Sequence, residues 1–257
     1  MWNSFRTDAN LGLTAEITTY EAGGGDQIHA YLVKPKGDGP FPGVVVVHHM
    51  PGWDEFYQEF CERLGRHGYA VLAPDLYCRV GHGTPDDVAA QVRSQGGVHD
   101  DSVVADCAAA LAWLNSQPWC TRRVGIIGSC SGGRHATLTA SKVPGFSALV
   151  DLWGGGVVMA ADQATPARPV APIDYTEQLS APILGIFGND DQSPTPAQVD
   201  LHESELAKHA KDYEFHRYDG AGHGFFYYHT PMYRHEQAMD GWAKVFDFFD
   251  RKLQPQL

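Results

Sequence analysis

Short apolar runs of four to eight residues, bounded by Gly, Pro or Asp, recur between longer amphipathic stretches along this chain. That alternation constrains the fold more than any other feature. Runs of this length suit strands covered on both faces, and amphipathic stretches between them suit helices packed on a largely parallel sheet. The predicted strands are Ile28 to Val33, Gly43 to His48, Tyr69 to Ala73, Val124 to Gly128, Ala148 to Leu152, Ile183 to Phe187 and Glu214 to Tyr218. The purest is Val44 to Val47, four consecutive valines. Helices are predicted over Glu55 to His67, Asp100 to Asn115, Gly133 to Lys142, Pro196 to Lys211 and Glu236 to Arg251. The W-A-K-V-F-D-F-F stripe in the last reads as core packing. Arg79 to Gln95 and Gly154 to Pro172 read as loops over the strand ends, able to cap a pocket.

With 257 residues, the expectation is one α/β domain spanning 1–257, its mostly parallel sheet flanked by helices on both faces. No segment approaches the 18 consecutive apolar residues of a membrane span. The first ten residues carry no apolar run behind a basic patch, so the cytoplasm is the expected compartment. Five cysteines, Cys61, Cys78, Cys107, Cys120 and Cys130, show no C-x-x-C spacing and are expected as free thiols. The net charge of −12 repels polyanions, which argues against a nucleic-acid partner. The histidines are scattered without metal-ligand spacing, so no metal or other cofactor is expected. The pair His48–His49 needs a separate account.

Residues 124–133 read V-G-I-I-G-S-C-S-G-G. Gly128, Cys130 and Gly132 form G-x-C-x-G between a predicted strand and a predicted helix, the frame of a nucleophile elbow with cysteine in the serine position. The glycines are needed because side chains there would collide with the neighbouring strand and helix. Ser129 and Ser131 lack glycines two residues away on both sides. A following helix N-terminus favours a thiolate, and the Ser131 N–H is a candidate oxyanion donor. Two further loops follow strands: G-N-D-D-Q, holding Asp191, and D-G-A-G-H-G-F-F, holding His223. Nucleophile, acid and histidine thus come in the order of an α/β-hydrolase, with Cys130 as nucleophile, His223 as base and Asp191 as its orienting acid. Asp190 is the rival acid on this reading.

These residues resemble the dienelactone hydrolases (carboxymethylenebutenolidases) of the α/β-hydrolase superfamily, from about Ala30 to Leu253. Matching stretches are G-Y-A-V-L-A-P-D-L-Y (68–77), V-G-I-I-G-S-C-S-G-G (124–133), F-G-N-D-D-Q-S-P (187–194) and Y-D-G-A-G-H-G-F (218–225). The resemblance places the acid on Asp191, from the register of D-Q-S-P-T-P. It implies hydrolysis of an enol-lactone or related small ester through a thioester, without metal, and puts a second oxyanion donor at the Met50 N–H.

Two departures from the family pattern stand out. His49 occupies the position of a glutamate that helps generate the thiolate; it could stabilise the thiolate, donate to substrate, or only pack. Of two arginines that hold a substrate carboxylate, Arg79 is kept, whereas Tyr227 stands where the second would be. Arg134 and Arg234 are candidate replacements or ordinary surface residues. Tyr77, Trp153, Phe226 and Tyr227 suggest an aromatic pocket. The leading expectation is a cysteine hydrolase of a small lactone or activated ester, acting as a monomer or homodimer. A promiscuous carboxylesterase or thioesterase and a non-hydrolytic thiol redox sensor are the alternatives.

Overall fold

A computed structural model describes residues 12–254; the first ten residues, read above for a leader, lie outside them. Among the described residues eight strands form one sheet, in the order β1-β2-β4-β3-β5-β6-β7-β8. They are β1 (Leu13–Glu21), β2 (Gln27–Pro35), β3 (Phe41–Val47), β4 (Ala70–Pro74), β5 (Cys120–Ser129), β6 (Ala148–Leu152), β7 (Ile183–Gly188) and β8 (Tyr213–Tyr218). β1 pairs antiparallel with β2, and β2 antiparallel with β4. All pairings from β4 through β8 are parallel. This is the α/β-hydrolase architecture.

The helices are α1 (Glu55–Arg66), α2 (Pro85–Ser94), α3 (Asp100–Ser116), α4 (Ser131–Lys142), α5 (Pro196–Lys208) and α6 (His235–Leu253). Side chains alternate across a strand, and β3 divides its valines accordingly. Val44 and Val46 pack with Phe60, Leu64, Val245 and Phe249 of α1 and α6. Val45 and Val47 pack with Val103, Leu111 and Ala136 of α3 and α4 on the other face. No helix among the described residues is long and apolar enough to cross a membrane.

Three expectations are corrected. β1 was not anticipated: L-T-A-E-I-T-T-Y-E lies at the sheet edge with Ile17 exposed, so it lacks the continuous apolar run of a strand buried on both faces. The stretch 79–95 is no simple loop, because Thr84 accepts from the Asp87 N–H and Pro85 starts helix α2, which buries Ala89 and Val92. Helix α4 begins at Ser131, two residues before the predicted Gly133. Segment 154–172 is mostly irregular, with one short turn of 3-10 helix at Ala161–Gln163.

Candidate active site

The parallel strands end on the same edge of the sheet, and the loops that follow β3, β5, β7 and β8 meet there. β5 runs into Cys130, whose backbone adopts φ 55° and ψ −124°, a costly conformation for a residue with a side chain. Its neighbours explain why the chain accepts that cost. A Cβ at Gly128 would lie 2.2 Å from the Gly132 carbonyl oxygen, and one at Gly132 would lie 2.1 Å from that of Val47. The turn closes only without those side chains. Cys130 donates its N–H to Leu152 O at 3.0 Å, and its own carbonyl accepts from the Gly133 and Arg134 amides, opening α4. The thiol therefore sits partly exposed at a helix N-terminus.

The loops after β7 and β8 touch so closely that a Cβ on Gly188 would lie 2.1 Å from Ala221 O. This contact sets Asp191 beside His223. The buried Asp191 accepts from the Ser193 N–H through Oδ1 and from His223 Nδ1 through Oδ2, at 2.8 and 2.9 Å. Asp190 is exposed and bonds through its N–H to Ala221 O, so Asp191 carries the contact to the imidazole. The His223 side chain faces the same cavity as Cys130. Burial works against a charge on this imidazole, but its bond to Asp191 and the negative charges of Asp191 and Cys130 outweigh it and raise its pKa to about 10.

Cys130 and His223 border a cavity of about 370 Å³, together with Met50, Ser131, Gly155, Arg168, Asp190 and Asp191. The two residues whose amides are candidate oxyanion donors thus share one cavity with the thiol. Among the described residues no group of three or more His, Cys, Asp or Glu could hold a metal ion.

The model of the dienelactone hydrolase family matches residues 28–253. This chain belongs to the dienelactone hydrolase family. A protein of Methylorubrum extorquens provisionally named carboxymethylenebutenolidase is 35% identical over 246 residues, spanning 95% of this chain and 82% of that relative. A similarly named protein of Escherichia coli is 34% identical over 230 residues, spanning 88% and 83%. The crystal structure of a provisionally named dienelactone hydrolase from Klebsiella pneumoniae superposes with a TM-score of 0.84 at 30% identity, covering 93% of this chain and 99% of that one. A dienelactone hydrolase-like promiscuous phosphotriesterase from metagenomic libraries shares the fold, at 21% identity and a TM-score of 0.77 over 95% of this chain and 100% of that one. The present family member is a hydrolase acting on ester bonds.

Several residues predicted as substrate contacts lie elsewhere. Arg79 is locked by a bidentate pair to Asp106 at 2.8 Å and by Asp26 at 2.6 Å, so its guanidinium is occupied away from the thiol. Arg134 is no surface residue: it is buried and bidentate to Asp100, and it donates to Val170 O. Arg234 bonds the carbonyls of Gly220, Pro231 and Tyr233. Trp153 and Phe226 are 0% and 2% exposed and pack on each other and on Phe225 within the core. Neither borders the cavity. Tyr77 lies behind Met50, donating its hydroxyl to Met50 O at 2.9 Å. His49 and Tyr227 are buried and bonded to each other at 3.0 Å. What the sequence reading missed is Arg168, an exposed arginine in segment 154–172 that borders the cavity. No local motif marks it.

Proposed function

We propose that this dienelactone hydrolase family member is a cysteine hydrolase that cleaves a small ester or lactone through a thioester on Cys130, with no cofactor. The observation that carries the reading is His223, bonded at Nδ1 to Asp191 at 2.9 Å on the wall of the cavity that it shares with Cys130. Asp191 fixes the imidazole so that its other nitrogen addresses sulfur, the arrangement by which a base takes up a nucleophile's proton.

In the proposed cycle His223 takes the Cys130 proton and Sγ attacks the substrate carbonyl carbon. The S–C bond forms while the carbonyl π pair moves to oxygen, where the Met50 and Ser131 N–H groups hold it. Collapse breaks the bond to the leaving oxygen, which receives the His223 proton. Water, deprotonated by His223, then attacks the thioester; the C–S bond breaks, the acid leaves and the thiol regains its proton. A cavity of about 370 Å³ is at the small end of ligand pockets and suits a compact substrate. Segment 154–172 partly covers it as a lid within a single domain, and the cytoplasm is the proposed compartment.

The test is stopped-flow hydrolysis of p-nitrophenyl acetate and of an unsubstituted dienelactone by the wild type, Cys130→Ala and His223→Ala. A burst of p-nitrophenol that disappears in Cys130→Ala, with at least a hundredfold loss of turnover in His223→Ala, is expected. Wild-type turnover retained by Cys130→Ala would remove the thioester route.

A further inference from the structure

The thiol chemistry leaves the His48–His49 pair and Tyr227 without a task. In the structure His49 and Tyr227 belong to a closed circuit of buried and partly buried hydrogen bonds, and His48 holds the His49 carbonyl beside it. Asp54 caps α1 through Oδ1, which accepts the Tyr57 N–H at 3.1 Å, and its Oδ2 lies 2.7 Å from His49 Nε2. His49 Nδ1 is 3.0 Å from the Tyr227 hydroxyl. That hydroxyl is 2.9 Å from Ser129 Oγ, and Ser129 Oγ is 2.8 Å from the Tyr57 hydroxyl, back on α1. The ring joins the end of β3, the start of α1, the end of β5 and the loop after β8.

Counting protons gives the ring a direction. A carboxylate only accepts, so His49 donates from Nε2, and the neutral imidazole then offers a lone pair at Nδ1. Tyr227 donates to that lone pair, Ser129 donates to Tyr227, and Tyr57 donates to Ser129. Burial is the main reason that the Tyr57 and Tyr227 phenols sit well above their ordinary pKa, with the Cys130 charge adding to it, so both act as hydroxyls. Four buried polar side chains are satisfied in sequence, and the carboxylate is at the most accessible end of the chain. Removing one partner would strand a buried group.

The residues next to the ring indicate its task. Ser129 directly precedes Cys130 and Ser131, and His49 directly precedes Met50. The His49 carbonyl accepts from His48 Nδ1 at 2.8 Å and from the Gly52 N–H at 3.0 Å, while His48 Nε2 accepts the Leu76 N–H. The carbonyl and N–H of one peptide are coplanar, so fixing the His49 carbonyl also aims the Met50 N–H. We infer that Asp54, His49, Tyr227 and Ser129 are positioning residues that hold the Met50 amide in register with the Cys130 turn and the Ser131 amide, giving the oxyanion its two donors. This rests on the proposed hydrolysis.

The experiment compares wild type, Tyr227→Phe, Ser129→Ala and the double variant in two reactions of the same thiol: acylation by p-nitrophenyl acetate and alkylation by iodoacetamide. Alkylation joins sulfur to carbon and expels iodide without forming an oxyanion. Displacing a positioned group by about 1 Å can cost about a hundredfold, so Tyr227→Phe is expected to slow acylation roughly ten- to a hundredfold. KM and the alkylation rate should each stay within about twofold, and the double variant should fall little below either single one. Acylation within about twofold of wild type in both single variants would overturn the inference. So would parallel losses in acylation and alkylation, since the ring would then hold only the thiol. Acylation that persists in Cys130→Ala would remove the hydrolase proposal and this inference together. Acylation that needs Cys130 but ignores the ring would remove the inference alone.

Discussion

His223 is pulled in opposite directions by its surroundings, and the balance can be measured. Burial alone would push its proton off; Asp191 and Cys130 hold it on and raise its pKa to about 10. Asp191→Asn keeps the burial and removes the nearest negative charge, so the His223 pKa should fall toward the ordinary value near 6.5, read from its imidazole resonances by NMR. The same shift has a stability consequence. A group whose pKa is raised by folding contributes fully below its unfolded value and loses that contribution as pH rises through its folded value. The Tm gap between wild type and His223→Gln should therefore be widest between pH 5 and about 6.5 and close toward pH 10. A gap that is constant over this range would mean that the imidazole gains nothing from its partners. At this scale the sequence revealed the turn well, since the collisions at Gly128 and Gly132 are those that G-x-C-x-G implies. It does not by itself separate Asp190 from Asp191, because adjacent carboxylates in a loop differ only in where the chain turns.

Segment 154–172 is where element-level reading ended and tertiary contacts took over. Pro- and Ala-rich sequence marks it as irregular, but nothing local says which side chain it delivers. Two bonds decide that. The Asp100 N–H at the start of α3 binds Ala167 O, and Arg134 in the first turn of α4 binds Val170 O, each at 2.8 Å. Asp100 and Arg134 are themselves joined as a buried pair. Arg168 lies between these anchors and is presented to the cavity that holds Cys130. A guanidinium so placed should bind a negative group on the substrate, whereas Arg79 is already neutralised by two aspartates. Arg168→Ala is expected to raise KM for p-nitrophenyl hemisuccinate about tenfold, a loss near 1.4 kcal/mol, and to leave p-nitrophenyl butyrate unchanged. Equal effects on both esters would assign Arg168 to the shape of the segment. α2 shows the opposite case: T-P-D-D carries a cap and an N-terminal proline, a local helix signal inside a stretch whose overall composition reads as a loop.

Across the whole molecule, the legible part is what the sheet buries on both faces. Val44 to Val47 alternate between two cores as strand geometry requires, and the aromatic stripe of α6 lies inside, with Trp242, Val245, Phe248 and Phe249 all buried. The ring of Asp54, His49, Tyr227, Ser129 and Tyr57 was not legible, because His49 and Tyr227 stand 178 positions apart and meet only when the β3 and β8 loops share one edge. This separation of core from site can be tested at α6. Phe249 is fully buried near the far end of that helix, its ring against Tyr69 and within 3.0 Å of where a Gly125 Cβ would stand. The helix begins beside the His223 loop, where the Arg234 N–H binds Phe225 O, and at about 1.5 Å per residue Phe249 lies roughly 20 Å along it from that end. Phe249→Ala should therefore open a cavity costing about 3–5 kcal/mol, read by urea unfolding, while kcat of the folded fraction stays within about twofold of wild type. The stability loss follows from the close packing of Phe249 beside Gly125, and the retained turnover from the distance to Cys130 and His223. A kcat that fell with little change in unfolding free energy would reverse that assignment and make the end of α6 part of what aligns the thiol.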